Sequence, residues 1–183
     1  DQQIKAGEFE VTSPMTAGSF IQQLATGEVL QYSVTFPEGI TLAEAVALLH
    51  RDPKLKRTPK TALAAELLAM AKGHDSAEGL FLPETWSYTS ADSELDVLRR
   101  SHFAMMNMLD VLWAERPADL PLPSAYAALI LASIVEKETG VARERAQIAS
   151  VFLRRLERGM RLQTDPTVIY GLGDDYHGNL QRR

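Results

Sequence analysis

The chain has no cysteine among its 183 residues, which excludes disulfides, thiol nucleophiles and thiolate metal sites at once. That absence fits cytoplasm and bacterial periplasm equally well. Nor is there an excess of positive charge. The 19 Lys and Arg against 24 Asp and Glu leave a net charge of −5 and a pI near 5.4, so there is no electrostatic footprint for nucleic acid or an anionic membrane. No apolar run approaches the roughly 20 residues that span a bilayer, and no signal peptide opens the sequence. Beginning at Asp1 without Met, the chain reads as excised from a longer one, from which a native anchor could have been removed. His50, His74, His102 and His177 are scattered without ligand spacing, so no metal or cofactor site is predicted. What is present is ordinary for a globular protein: 45% hydrophobic and 23% charged residues, enough for a real core. The length allows one domain, or a small module joined to a larger one.

The first quarter has its own rhythm. Phe9-Glu10-Val11 and Val34-Thr35-Phe36 gather β-formers, and each is followed by turn residues and a short amphipathic helix. In the first repeat Pro14-Met15-Thr16 leads into Phe20, Ile21 and Leu24, closing at Gly27. In the second, Pro37-Glu38-Gly39 leads into Thr41-Leu-Ala-Glu44, a capping-box pattern, and then Ala45, Val46, Leu48 and Leu49. The expectation is a small α+β module of about 50 residues with an internal pseudo-repeat and no chemistry of its own.

Residues 51–60, basic and carrying two prolines, read as a linker or turn. Helices are predicted over 61–72 and 93–113, with Glu78-Gly-Leu-Phe-Leu-Pro-Glu-Thr-Trp86 between them as an ordered loop. Met105, Met106 and Met108 read as core filling. Pro117, Pro121 and Pro123 precede a run from Tyr126 to Val135, rich in Ala, Leu and Ile, that predicts a buried helix. Residues 141–158 are amphipathic, with Ile148, Phe152 and Leu156 four apart and Gly159 as a natural C-cap. Asp165-Pro166 has the form of a helix start, the carboxylate capping and proline entering the first turn.

Chemistry concentrates where the apolar helix ends, at Leu131-Ala-Ser-Ile-Val-Glu-Lys-Glu-Thr-Gly140. Glu138 follows Val135 by three residues, Ile134 by four and Leu131 by seven, extending the apolar stripe, whereas Glu136 follows Ala132 and Ser133 on a less apolar flank. A carboxyl group at the rim of a hydrophobic helix is expected to have a raised pKa, because desolvation disfavours the charged form. That suits a general acid near neutral pH. A surface Glu-Lys-Glu triplet fringing a helix end explains the same spacing. Asp165 serves equally as a helix cap or as a group orienting a substrate. Gln163, Thr164 and Tyr170 beside it carry the amide, hydroxyl and phenol groups that suit sugar recognition, or that satisfy backbone groups in a loop. Glu136 reads as a solvated or supporting carboxylate.

Ala-Ser-Ile-Val-Glu-Lys-Glu-Thr at 132–139, followed by Arg161-Leu-Gln-Thr-Asp-Pro-Thr-Val-Ile-Tyr-Gly171, closely resembles the YceG-like family, the endolytic murein transglycosylases. Glu78-Gly-Leu-Phe-Leu-Pro-Glu-Thr resembles a further family stretch, and Lys5-Ala-Gly-Glu-Phe-Glu-Val resembles its LysM-like module. The resemblance implies an α+β chain: a LysM-like module over 1–52, then a mainly helical, lysozyme-like lytic transglycosylase catalytic domain over 53–183. It places the catalytic acid on Glu138 and the substrate-binding groups on Gln163, Thr164, Asp165 and Tyr170. It also implies a single-pass protein of the bacterial inner membrane, anchored N-terminally, whose periplasmic part cuts nascent glycan strands of peptidoglycan near penicillin-binding synthases and so terminates their elongation. The family continues past the position of Arg183 with a Tyr-Asn-Thr-Tyr stretch and a Gly-Leu-Pro-Pro-Gly-Pro-Ile loop, so the catalytic domain is expected to be C-terminally incomplete here and weakly active or inactive alone.

The implied reaction needs only one acid. Ordinary glycosidases pair two carboxylates about 5 Å apart for retention, or roughly 6.5–9.5 Å apart for inversion. A lytic transglycosylase uses the sugar's own 6-hydroxyl, whose effective concentration is high because it is attached, and leaves a 1,6-anhydro end. The alternative from another class is a non-catalytic peptidoglycan-binding or scaffold protein.

Overall fold

The computed structural model describes residues 7–11, 14–27 and 29–178, the side chain of Asp174 excepted. It is α+β, with seven α-helices and one two-stranded sheet among the described residues. Two compact units are present, Asp1–Met106 and Asn107–Arg183, and the division falls inside a long helix.

In the first unit, α1 (Ala17–Thr26) starts where the Ser19 N–H donates to Thr16 Oγ1 at 3.2 Å. Strand β1 (Tyr32–Thr35) leads to α2 (Leu42–Arg51), whose expected capping box is formed. The Glu44 N–H donates to Thr41 Oγ1 at 3.2 Å, and the Thr41 N–H donates to Glu44 Oε2 at 2.8 Å. A second carboxylate supports this end, since the Leu42 N–H donates to Glu78 Oε1 at 2.9 Å. Then come α3 (Lys60–Met70), β2 (Thr85–Tyr88) and α4 (Glu94–Ala114). β1 and β2 are antiparallel, with Tyr32 opposite Tyr88 and Val34 opposite Trp86. The ladder joins residues on both sides of position 52, so this compact unit reaches well beyond the first 50 residues.

Two expectations are corrected here. Phe9-Glu10-Val11 is not a strand: β-formers need a ladder, and in this stretch single hydrogen bonds stand in its place, from Leu30 N–H to the Glu8 carbonyl and from Gln23 Nε2 to the Glu10 carbonyl. The pseudo-repeat therefore has a strand only in its second copy. Lys5 and Ala6 of the quoted stretch lie outside the described residues. Met108 is also not core, being 46% exposed, although Met105 is buried.

Phe36, Leu49, Leu80, Val97 and Leu98 are exposed by 1% or less, and each contributes about 1.5–3 kcal/mol by leaving water. Beside them lies a buried charge. Glu94, 2% exposed, accepts from Arg57 Nη1 at 2.9 Å, from the Thr58 N–H at 2.9 Å and from His50 Nδ1 at 3.0 Å. Burial alone pushes this carboxyl upward, but the bonds from Thr58, Arg57 and His50 outweigh it and hold the group below the usual carboxylate range.

The second unit contains α5 (Ala125–Glu138), α6 (Ala142–Glu157), α7 (Asp165–Leu172) and a short 3-10 turn, Gly173–Asp175. α5 packs against both α6 and α7. Its core is small: Leu131, Val135 and Phe152 are buried, with Ile134, Ile148, Leu153 and Leu162 packed around them. Among the described residues, no helix is long and apolar enough to cross a membrane.

Candidate active site

The site is built from the end of α5. Ser124 starts the helix by accepting the Ala127 N–H at 3.1 Å, and the Ala-, Leu- and Ile-rich run that follows has high helix propensity. The buried positions on its last turns are Leu131, Val135 and Thr139, each four residues after the one before. That stripe leaves the two carboxylates on opposite flanks, since two residues are about 200° of helical rotation. Thr139, rather than Glu138, continues the stripe. Its hydroxyl donates to Glu144 Oε2 at 2.9 Å and accepts the Val141 N–H at 3.0 Å, tying the end of α5 to the start of α6.

The expected burial of the two glutamates is thereby reversed. Glu138 is exposed and Glu136 half-buried. The helical phase was read correctly from Leu131 and Val135, but the helix ends at Glu138, so no further turn encloses its side chain. Glu136 faces α6, where Arg145 Nη2 lies 3.2 Å from Oε1 and 3.0 Å from Oε2. An open groove of about 410 Å³ runs along this flank, lined by Ala128, Ala132, Glu136, Arg145 and Ala149 among others, and Glu138 is not part of its wall.

Glu138 instead meets the segment that enters α7. Thr164 Oγ1 donates to Glu138 Oε2 at 2.7 Å, while Oε1 has no hydrogen-bond partner among the described residues. The contact depends on how the chain turns after α6. Gly159 adopts φ +65, a conformation glycine reaches without strain. Arg155 Nη1 donates to the Leu162 carbonyl, and the Leu162 side chain packs on the core of Leu131, Val135 and Phe152. Gln163 follows at φ +54, the one non-glycine residue with positive φ among those described. Such a backbone costs about 1 kcal/mol or more, and it turns Thr164 inward to 4% exposure.

Asp165 is not the cap of α7 as expected. It is the first helical residue, followed by Pro166, and the N-cap is Thr164. Thr164 does not cap with its side chain, although a Thr cap is worth about 1 kcal/mol; its hydroxyl is committed to Glu138. Its carbonyl is held by Thr167, through Oγ1 at 2.8 Å and the N–H at 3.3 Å. A carboxylate at the C-terminus of its own helix is thus turned toward the N-terminus of another, the favourable end of a helix dipole. Gln163, Asp165 and Tyr170 are exposed around this junction, and the Asp165 carboxylate has no hydrogen-bond or ion-pair partner among the described residues. The structure therefore joins Glu138 and Thr164 directly and leaves the other three at the surface of the same turn and helix. Arg155 and Arg145 were missed by sequence reading, because each acts on a partner across a helix-to-helix turn that no local motif marks. Among the described residues, no cluster of three or more His, Asp or Glu is placed to hold a metal ion.

The whole chain, residues 1–183, matches the model of the YceG-like family. It is 25% identical over 188 residues to the endolytic murein transglycosylase of Bacillus subtilis strain 168, covering 92% of this chain and 52% of that protein. With the endolytic murein transglycosylase of Streptococcus pneumoniae R6 it shares 27% identity over 200 residues, covering 93% of this chain and 36% of that protein. The chain thus spans about half the length of the first curated relative and about a third of the second. A crystal structure of a YceG-like protein from Listeria monocytogenes is similar with a TM-score of 0.58 and 27% identity, covering 98% of this chain and 64% of that one. On the match over its full length, the chain belongs to the YceG-like family.

Proposed function

We propose that the chain contributes the general acid of a peptidoglycan lytic transglycosylase, and that this acid is Glu138. The names of the curated relatives support the reaction class. The observation that carries the residue is the contrast between two neighbouring carboxylates. Both oxygens of Glu136 are engaged by Arg145. Glu138 has one oxygen fixed by Thr164 and the other open. A general acid must present its proton-bearing oxygen to the leaving group, and of this pair only Glu138 has an oxygen to present.

The substrate is the glycan strand of peptidoglycan, cut internally at the β-1,4 bond between N-acetylmuramic acid and N-acetylglucosamine. The proton on Glu138 passes to the glycosidic oxygen as the bond to the muramic C1 breaks and positive charge builds there. The muramic 6-hydroxyl then bonds to C1 while the Glu138 carboxylate takes its proton, closing a 1,6-anhydro ring. No water is consumed, and the carboxyl group ends as it began. The attached hydroxyl supplies the nucleophile at high effective concentration, so a second carboxylate is unnecessary. Gln163, Asp165 and Tyr170, exposed on the turn and helix that carry Thr164, are the proposed sugar contacts. Residues 1–52 are proposed to supply a LysM-like glycan-binding element that folds as part of the first compact unit, and 53–183 part of a lysozyme-like catalytic domain. By the same resemblance, the protein works in the periplasm on an N-terminal membrane anchor beside penicillin-binding synthases, ending strand elongation.

The test is Glu138→Gln in the complete periplasmic protein that carries this chain, incubated with purified glycan strands whose new ends are read by mass spectrometry. The parent should release 1,6-anhydro ends, lighter than reducing ends by one water. The variant should lose activity by roughly 100-fold or more with an unfolding midpoint close to the parent's. Reducing ends alone would make the protein a hydrolase and turn attention to Asp165 as base or nucleophile. Binding without cleavage by the parent would favour a scaffold.

A further inference from the structure

We infer that Thr164 is a positioning residue that decides which oxygen of Glu138 carries the catalytic proton, rather than a group that touches the sugar. This rests on the proposed role of Glu138. In the neutral acid one oxygen bears the proton and the other accepts. Thr164 Oγ1 donates to Oε2 at 2.7 Å, and a hydroxyl has a single proton to give. Toward the ionised carboxylate the hydroxyl must donate, since the carboxylate has no proton to give, so Oε2 is the oxygen held and Oε1 is the open one left to take up and hand over the proton. The same bond restrains rotation of the carboxyl plane, so Oε1 points along one direction from the end of α5.

The surroundings hold Thr164 to this task. It is 4% exposed, which leaves little of it for a substrate to reach. Its hydroxyl forgoes the helix cap that its position invites. The strained backbone of Gln163 at φ +54 aims it inward, Arg155 anchors the preceding carbonyl, and Thr167 fixes the following turn through the Thr164 carbonyl at 2.8 Å. A strained residue, an unused cap and a buried hydroxyl on an exposed carboxylate form one arrangement, and strain of this kind is retained where surrounding structure over-determines it.

Two variants of the complete periplasmic protein that carries this chain separate this role from a structural one, assayed on purified un-crosslinked glycan strands beside Glu138→Gln. Thr164→Val keeps the shape and removes the hydroxyl; it should lower kcat roughly 10- to 100-fold with KM nearly unchanged, since misorientation of a reacting group has effects of that size. Thr164→Ser keeps the hydroxyl and should recover most of the parental kcat. The inference is overturned if the Val variant stays within twofold of the parent, if Ser loses as much as Val, or if KM rises instead of kcat falling, as a lost sugar contact would require. Should Glu138→Gln turn over normally, or the parent release no anhydro ends, the proposed role of Glu138 itself fails and this one falls with it. An inactive Glu138→Gln beside a fully active Thr164→Val refutes the positioning role alone.

Discussion

At the scale of single residues, a charge behaves according to how many groups surround it. Glu94 is ringed by three donors inside the first unit. Replacing it with Gln should destabilise the protein by about 2–3 kcal/mol at neutral pH, since buried donors lose an ionised acceptor; Arg57 and His50 are half in solvent and temper the loss. The sign with pH follows from the depressed carboxyl pKa. Its contribution is fully present above the unfolded carboxyl range, near pH 4.3 or so, and fades as pH falls through the lower folded value. Denaturant melts of parent and Glu94→Gln should therefore draw together on acidification from pH 7 to 3; a constant gap would show that ionisation is not what the site stabilises. None of this was legible in the sequence, where Glu94 is one acid in a helix start and its partners lie 36 to 44 residues away. The choice between Glu136 and Glu138 was legible as motif but not as burial, because the exposure of Glu138 depends on where α5 stops.

At the scale of elements, what was readable was what is encoded within four residues. The Thr41–Glu44 box formed as written, and the helices foreseen over 61–72, 93–113 and 141–158 are α3, α4 and α6 to within two residues at each end. The first half of β2, Thr85 and Trp86, was taken for loop because Thr85-Trp-Ser-Tyr88 is only four residues long, and its identity comes from a partner fifty positions earlier, with Thr85 opposite Thr35. Turn conformation was readable at Gly159 and unreadable at Gln163. Gly159 and Gly140 test this cleanly, as a Cβ at either would meet nothing within 4 Å, while only Gly159 has a positive φ. Gly159→Ala should therefore cost about 1 kcal/mol, and Gly140→Ala should be neutral or stabilising by a few tenths, about 0.4 kcal/mol or more, through the unfolded chain. Equal effects in chemical denaturation would mean that something other than φ governs both.

At the scale of the molecule, each compact unit is organised around its own core. The second unit has three buried apolar side chains at its centre, and α7 contains no buried residue at all. A helix of eight residues has little stability of its own, so α7 depends on its docking to α5. The Glu138–Thr164 bond closes a span of 26 residues, and it exists only while that docking lasts. Amide exchange should show the consequence: the protected amides of α7 should exchange roughly 10-fold or more faster than those beside Leu131 and Val135 on α5, as a sub-global opening rather than unfolding. Equal protection would mean that the whole unit opens as one. With the two rates apart, folded and armed become different states. At any moment a fraction of intact molecules has α7 lifted and Glu138 unaligned, and a partner or glycan strand that presses α7 down would raise turnover by changing that fraction, without altering a single reacting atom.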